Sequence, residues 1–141
     1  MERLTILFCE NNKPTSVLIK LFTLSNWSHC AILDGDFVID STLSTGVRRV
    51  PFRKWKKNYK SYEAVEVPCV DRKKAIEFAR RQVGKKYDPL GILSLVLKRR
   101  GEHPEKWFCS ELVATAMGVQ HRAWRLSPQF LWNLYKITEA W

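Results

Sequence analysis

An Asp-Gly pair between two β-prone runs constrains this chain more than any other feature. His29-Cys30-Ala31-Ile32-Leu33 precedes Asp34-Gly35, and Asp36-Phe37-Val38-Ile39-Asp40 follows. Asp-Gly suits a two-residue hairpin loop, whose central positions need positive φ. With Asp34-Gly35 as that loop, paired residue numbers sum to 69, so that Leu33 faces Asp36, Ala31 faces Val38 and His29 faces Asp40. Opposed residues on an antiparallel pair share a face with Cβ atoms ~4.5–5.5 Å apart, close enough for an imidazole to bond a carboxylate. A carboxylate so placed fixes the tautomer and direction of the ring and leaves its other nitrogen free to take a proton. A three-residue loop would set His29 against Ser41 instead.

Other elements follow from periodicity. Thr5 to Phe8 reads as a short strand, and Pro14 opens a helix over Thr15 to Leu24. Val47 to Val50 and the alternating Tyr62 to Val67 read as two more strands. Asp71 caps a helix with apolar positions Ala75, Ile76, Ala79 and Val83, ending at Gly84. Pro89 to Leu97, Ser110 to Met117 and a segment opened by Ser127-Pro128, carrying Phe130, Leu131, Leu134 and Tyr135, read as helices. The fold class is α+β, an antiparallel strand meander flanked by helices, and residues 1–141 make one domain.

Cys109 lies beyond the helix-breaking Pro104 and at the head of the run Ser110-Glu111-Leu112-Val113. Unpaired N–H groups and the dipole at a helix amino terminus stabilise a thiolate, and the same N–H groups can hold a developing oxyanion. Cys109 is thus a candidate nucleophile, with His29 its base and Asp40 the group that orients the base. On residues alone, a Cys heading an apolar helix is equally an ordinary small core residue. A strand His beside Ser28 is equally an ordinary structural group.

The remaining Cys9, Cys30 and Cys69 form no CxxC pair and have no His at ligand spacing, so no metal site, cofactor or redox dithiol is expected. They read as free thiols of a reducing, cytoplasmic setting, since the amino terminus is too short for a signal peptide and no apolar run approaches the ~20 residues of a spanning helix. A net charge of +10 favours anionic partners. The cations concentrate in Arg53, Lys54, Lys56, Lys57 and Lys60, interleaved with Trp55 and Tyr59, and in Lys98-Arg99-Arg100. Such a run fits a nucleic-acid backbone. It also fits a solvated face whose Phe52, Trp55 and Tyr59 pack inward, and with Leu90, Leu93 and Leu97 the second cluster fits an anionic membrane surface.

Five segments in this order, Trp27-Ser28-His29-Cys30-Ala31-Ile32-Leu33, Phe37-Val38-Ile39-Asp40-Ser41, Gly46 to Phe52, Lys86-Tyr87-Asp88-Pro89-Leu90 and Trp107 to Val113, resemble the permuted NlpC/P60 (papain-like) superfamily. Its YiiX/YaeF-like branch of cysteine peptidases and amidases is the nearest in pattern, with a more distant likeness to the lecithin:retinol acyltransferase group. The resemblance implies a permuted papain-like domain with Cys109 as nucleophile, His29 as base, Asp40 as third member where many relatives have Glu, and Tyr87 lining the pocket. It implies cleavage of an acyl bond through a thioester, in a cell-wall-type peptide. The alternatives are a lipid or acyl-ester hydrolase or acyltransferase, and a basic nucleic-acid-binding module without catalysis. The partners implied are a peptide or acyl substrate and an anionic polymer or membrane, with nucleic acid ranked behind them.

Overall fold

A computed structural model describes residues 1–10, 26–87, 106–119, 123 and 126–139. The helices expected over 15–24 and 89–97 and the Lys98-Arg99-Arg100 cluster lie outside these residues. Five strands, β1 (Glu2–Glu10), β2 (His29–Asp34), β3 (Phe37–Thr42), β4 (Gly46–Pro51) and β5 (Ser61–Cys69), form one antiparallel sheet in the order β4-β3-β2-β1-β5. Strands β1 to β4, antiparallel neighbours in chain order, form the expected meander. After β4 the chain turns through a single helical turn, α1 (Phe52–Trp55), and a 3-10 turn (Lys56–Asn58), and β5 then pairs with β1 from Glu2↔Cys69 to Glu10↔Ser61. Strand β1 runs nine residues rather than the expected four because it lies between two partners, and its backbone groups find bonds on both sides.

Three helices cover one side of the sheet: α2 (Arg72–Gln82), α3 (Cys109–Ala116) and α4 (Pro128–Glu139). Their residues Ala75, Ile76, Ala79, Leu112, Val113, Leu131 and Tyr135 share one buried cluster with Leu4, Ile6, Phe8, Cys30, Ile32, Ile39 and Val65 of the strands. Each large apolar side chain so enclosed contributes roughly 1.5–3 kcal/mol. The Asp71 side chain caps α2 by accepting from the Lys74 N–H at 2.9 Å. Val83, expected on the buried stripe, lies past the helix end and is 43% exposed. On the other side of the sheet a smaller cluster joins Leu7, Cys9, Ala31 and Val38 under the buried indole of Trp55.

Two short strands, β6 (Lys86–Tyr87) and β7 (Lys106–Trp107), pair in parallel and lead into α3. Gly46 sets their place. It has φ +68°, and a Cβ there would stand 2.3 Å from the Lys85 carbonyl oxygen, so only glycine lets the 84–86 backbone lie against β4. Val47 N–H donates to the Lys85 carbonyl at 2.8 Å and Gly84 N–H to the Val47 carbonyl at 2.9 Å. Among the described residues no helix is long and apolar enough to cross a membrane.

Candidate active site

The hairpin forms, with a different register from the one expected. Ile32↔Ile39, Leu33↔Val38 and Asp34↔Phe37 sum to 71, so the two-residue loop is Gly35-Asp36. Gly35, at φ +61°, takes the first central position, where primed turns need a positive φ. Asp34 stays in the ladder because its buried carboxylate is held by Arg49 at 2.7 Å and Arg80 at 2.8 Å. Continued along the strands, this register puts Asp40 opposite Ala31, so His29 and Asp40 are diagonal neighbours rather than directly opposed. A shift by two residues keeps every side chain on its face, and the two still meet: His29 Nε2 donates to Asp40 Oδ2 at 2.8 Å.

Asp40 is 1% exposed and carries more partners than a hairpin pair requires. Arg48, its opposite in the β3–β4 register, donates through Nε to Oδ1 at 2.8 Å and through Nη2 to Oδ2 at 3.4 Å. Trp55 Nε1 donates to Oδ2 at 2.9 Å, and the Tyr59 hydroxyl donates to the same oxygen at 3.5 Å. The Tyr59 ring also stacks on His29, with centroids 5.6 Å apart and planes 10° from parallel. A carboxylate taken this far from water persists only because its oxygens are bonded by cations and N–H donors.

Cys109 is the first residue of α3, one residue ahead of the expected start. The Phe108 N–H donates to the Glu111 side chain at 3.5 Å, closing half of a capping box. The Cys109 thiol interacts electrostatically with the His29 ring and with the Cys30 thiol. With Nε2 given to Asp40, Nδ1 is the ring nitrogen left for the sulfur. Strand β3 helps to place this helix start, since Ser41 Oγ, next to Asp40 in sequence and on the opposite face, donates to the Trp107 carbonyl at 2.6 Å. Tyr87 packs edge to face on Phe108 with centroids 5.8 Å apart, beside the residue that precedes Cys109.

Electrostatics separate the groups of this cluster. Burial works against a charged imidazole, yet the negative sulfur of Cys109 and the Asp40 carboxylate hold the His29 pKa up at about 10. Burial would likewise raise Cys109, but the Cys30 thiol and the positive His29 bring it well below an ordinary thiol. Asp40 stays down at about 2, because the His29 and Arg48 bonds outweigh its own burial. Cys9 and Cys30 are pushed up, chiefly by burial. These directions favour a thiolate on Cys109 beside a protonated His29 ring, with the Asp40 carboxylate behind the ring.

Sequence reasoning named Cys109, His29, Asp40 and Tyr87 as candidates and did not name Arg48 or Cys30 among them, nor give Trp55 and Tyr59 a place beside Asp40. One signal was available: Phe52, Trp55 and Tyr59 read as inward-facing, and they do face inward. The expected continuous helical face is instead one α-turn, one 3-10 turn and an extended Tyr59, with Arg53, Lys54, Lys56, Lys57 and Lys60 exposed.

Comparison with known proteins places this geometry. No curated protein matches the chain. The crystal structure of the metalloprotein yiiX from Escherichia coli O157:H7 superposes with a TM-score of 0.63 at 22% identity, over 82% of this chain and 63% of that one. The match thus spans less than two thirds of the yiiX chain and shows a common fold. The family model described as "Permuted papain-like amidase enzyme, YaeF/YiiX, C92 family" matches residues 5–124, a span that takes in His29, Asp40 and Cys109. Since the family model matches most of its length and its fold is that of yiiX, the chain belongs to the permuted papain-like amidases of the YaeF/YiiX type.

Proposed function

We propose that the chain hydrolyses an amide by covalent catalysis on Cys109, with His29 as proton carrier and Asp40 as the group that orients it. The observation that carries this reading is the position of one imidazole between a carboxylate, at 2.8 Å from Nε2, and a thiol at the start of a helix. The thiolate attacks the carbonyl carbon, and the oxyanion of the tetrahedral intermediate develops beside the free N–H groups of the first turn of α3. His29 then gives its Nδ1 proton to the leaving amine as the C–N bond breaks, leaving a Cys109 thioester and a neutral imidazole. That imidazole takes a proton from water, the hydroxide adds to the thioester, and loss of the acid restores the thiolate and imidazolium. The family likeness favours a cell-wall-type peptide as substrate.

The solved relative, yiiX, is described as a metalloprotein. Among the described residues of this chain no three His, Cys, Asp or Glu side chains are grouped to hold a metal ion, and both Asp40 oxygens are already bonded by protein donors. That donor set does not fit a metal, and no step above runs through one.

A small activated acyl ester tests the reaction without knowledge of the natural substrate. Brief incubation followed by intact-mass measurement and peptide mapping should place one acyl group, on Cys109, with none in His29→Ala. Equal acylation of Cys9, Cys30, Cys69 and Cys109 would overturn the reading.

A further inference from the structure

We propose that Arg48 is a positioning residue that completes the charge balance of this site, so that Asp40 orients His29 without locking the proton onto it. The inference rests on the function proposed above. The geometry sets Arg48 on Asp40 at 2.8 Å from Oδ1 and His29 on Oδ2 at 2.8 Å, so that the four groups Cys109, His29, Asp40 and Arg48 alternate in sign, with the thiol of Cys109 favoured as thiolate. Three more titratable groups around them are neutral: Cys9 of β1 and Cys30 of β2 are held as thiols, and Tyr59, after the 3-10 turn, as a phenol, all chiefly by burial. Glu111 of α3 is turned to the Phe108 N–H.

The geometry suits the role. Arg48 leaves Oδ2 to the ring and takes Oδ1 at 2.8 Å, with its second nitrogen 3.4 Å from Oδ2. The guanidinium cannot lose its proton, so the balance holds across the whole working pH range. When His29 passes its proton to a leaving group, an Asp40 without Arg48 would face a neutral ring as a lone buried anion, and the ring would hold its proton more tightly for that reason. With Arg48 in place, the acylated state still pairs one anion with one cation. Arg48 is only partly exposed, with 23% of its side chain open, so water screens it incompletely.

A charge role and a packing role predict different pH behaviour. The Arg48 charge favours the Cys109 thiolate and opposes the His29 imidazolium, so it lowers both ionisations. Its removal in Arg48→Gln should move both limbs of the reactivity profile to higher pH, each by about half to one unit. If Arg48 only packs Asp40 in place, its loss weakens the thiolate–imidazolium contact. The lower limb then rises, the upper limb falls and the profile narrows.

The readout is the rate of Cys109 alkylation by iodoacetamide between pH 4 and 11, followed by peptide mapping in the folded wild-type protein, Arg48→Gln and Arg48→Lys. Upward translation of both limbs in Arg48→Gln, with Arg48→Lys close to wild type, is the expected result. An unchanged or narrowed profile in a folded Arg48→Gln protein overturns the inference while leaving Cys109 as nucleophile. Should Arg48→Gln fail to fold, Arg48→Lys and Arg48→Met are read by the same criterion, and equal displacement in both overturns it as well. A wild-type Cys109 no more reactive at pH 6 than Cys30 or Cys69 would instead defeat the functional reading on which the inference rests.

Discussion

The two sides of the sheet are built on opposite terms. Beneath α2, α3 and α4 the contacts are almost wholly apolar, and positions such as Leu112, Leu131 and Ile32 are enclosed by many neighbours that need only shape and volume. On the other side a small apolar patch under Trp55 adjoins His29, Asp40, Arg48 and Tyr59, where each side chain is fixed by a directional bond. Cys109, the nucleophile of the proposed mechanism, belongs to the first side and His29, the proposed proton carrier, to the second, where it is the first residue of β2. One side supplies stability with loose chemical requirements. The other supplies chemistry and tolerates little change, because each polar partner removed leaves a buried group unsatisfied.

The largest expected contrast is between Cys109→Ala and Leu112→Ala. Cys109→Ala should abolish turnover of a small acyl substrate and keep a cooperative unfolding transition. Leu112→Ala should cost about 2–5 kcal/mol by urea unfolding while the rate per folded molecule stays near wild type. If both variants lost rate and stability in parallel, the two sides would not be separable.

Asp40→Asn sharpens the contrast, because it touches both properties. It should retain more activity than His29→Ala, since nucleophile and base remain. It should also change the response to acid. The folded pKa of Asp40, about 2, lies below the unfolded 3.8, so its contribution is present above pH 4 and is lost as pH falls toward 2. That contribution is on the order of 2–3 kcal/mol. Unfolding free energy measured from pH 5 to pH 2 should fall less in Asp40→Asn than in wild type. The Asp34 carboxylate, lowered by Arg80 and Arg49, remains to give a weaker slope of the same sign.

The smallest effect is expected at Ser110, whose buried hydroxyl is bonded to nothing among the described residues. Since a hydroxyl without a partner contributes no compensated bond, Ser110→Ala should alter stability by less than about 1 kcal/mol and leave the rate unchanged. A loss of several kcal/mol or of activity would show that Ser110 has a partner in the working protein.

Local rules in the sequence determined the elements that depend on neighbours along the chain. The Asp71 cap, the apolar stripe Ala75, Ile76 and Ala79, the helix start at Cys109 and the existence of the hairpin all follow from spacing, because caps and periodicity act over a few residues. The pairing of His29 with Asp40 was legible for a weaker reason: the register was misplaced by two, and an even shift preserves the face. The tertiary structure alone decided that Asp34 stays in the ladder, since one of the two cations that hold it, Arg80, comes from a helix far along the chain. It alone crossed β5 over to β1 and thereby swung Trp55 and Tyr59 under Asp40. No local pattern carries those contacts, because the residues that meet are brought together by sheet order, and sheet order is set by which edges and faces the whole chain can bury.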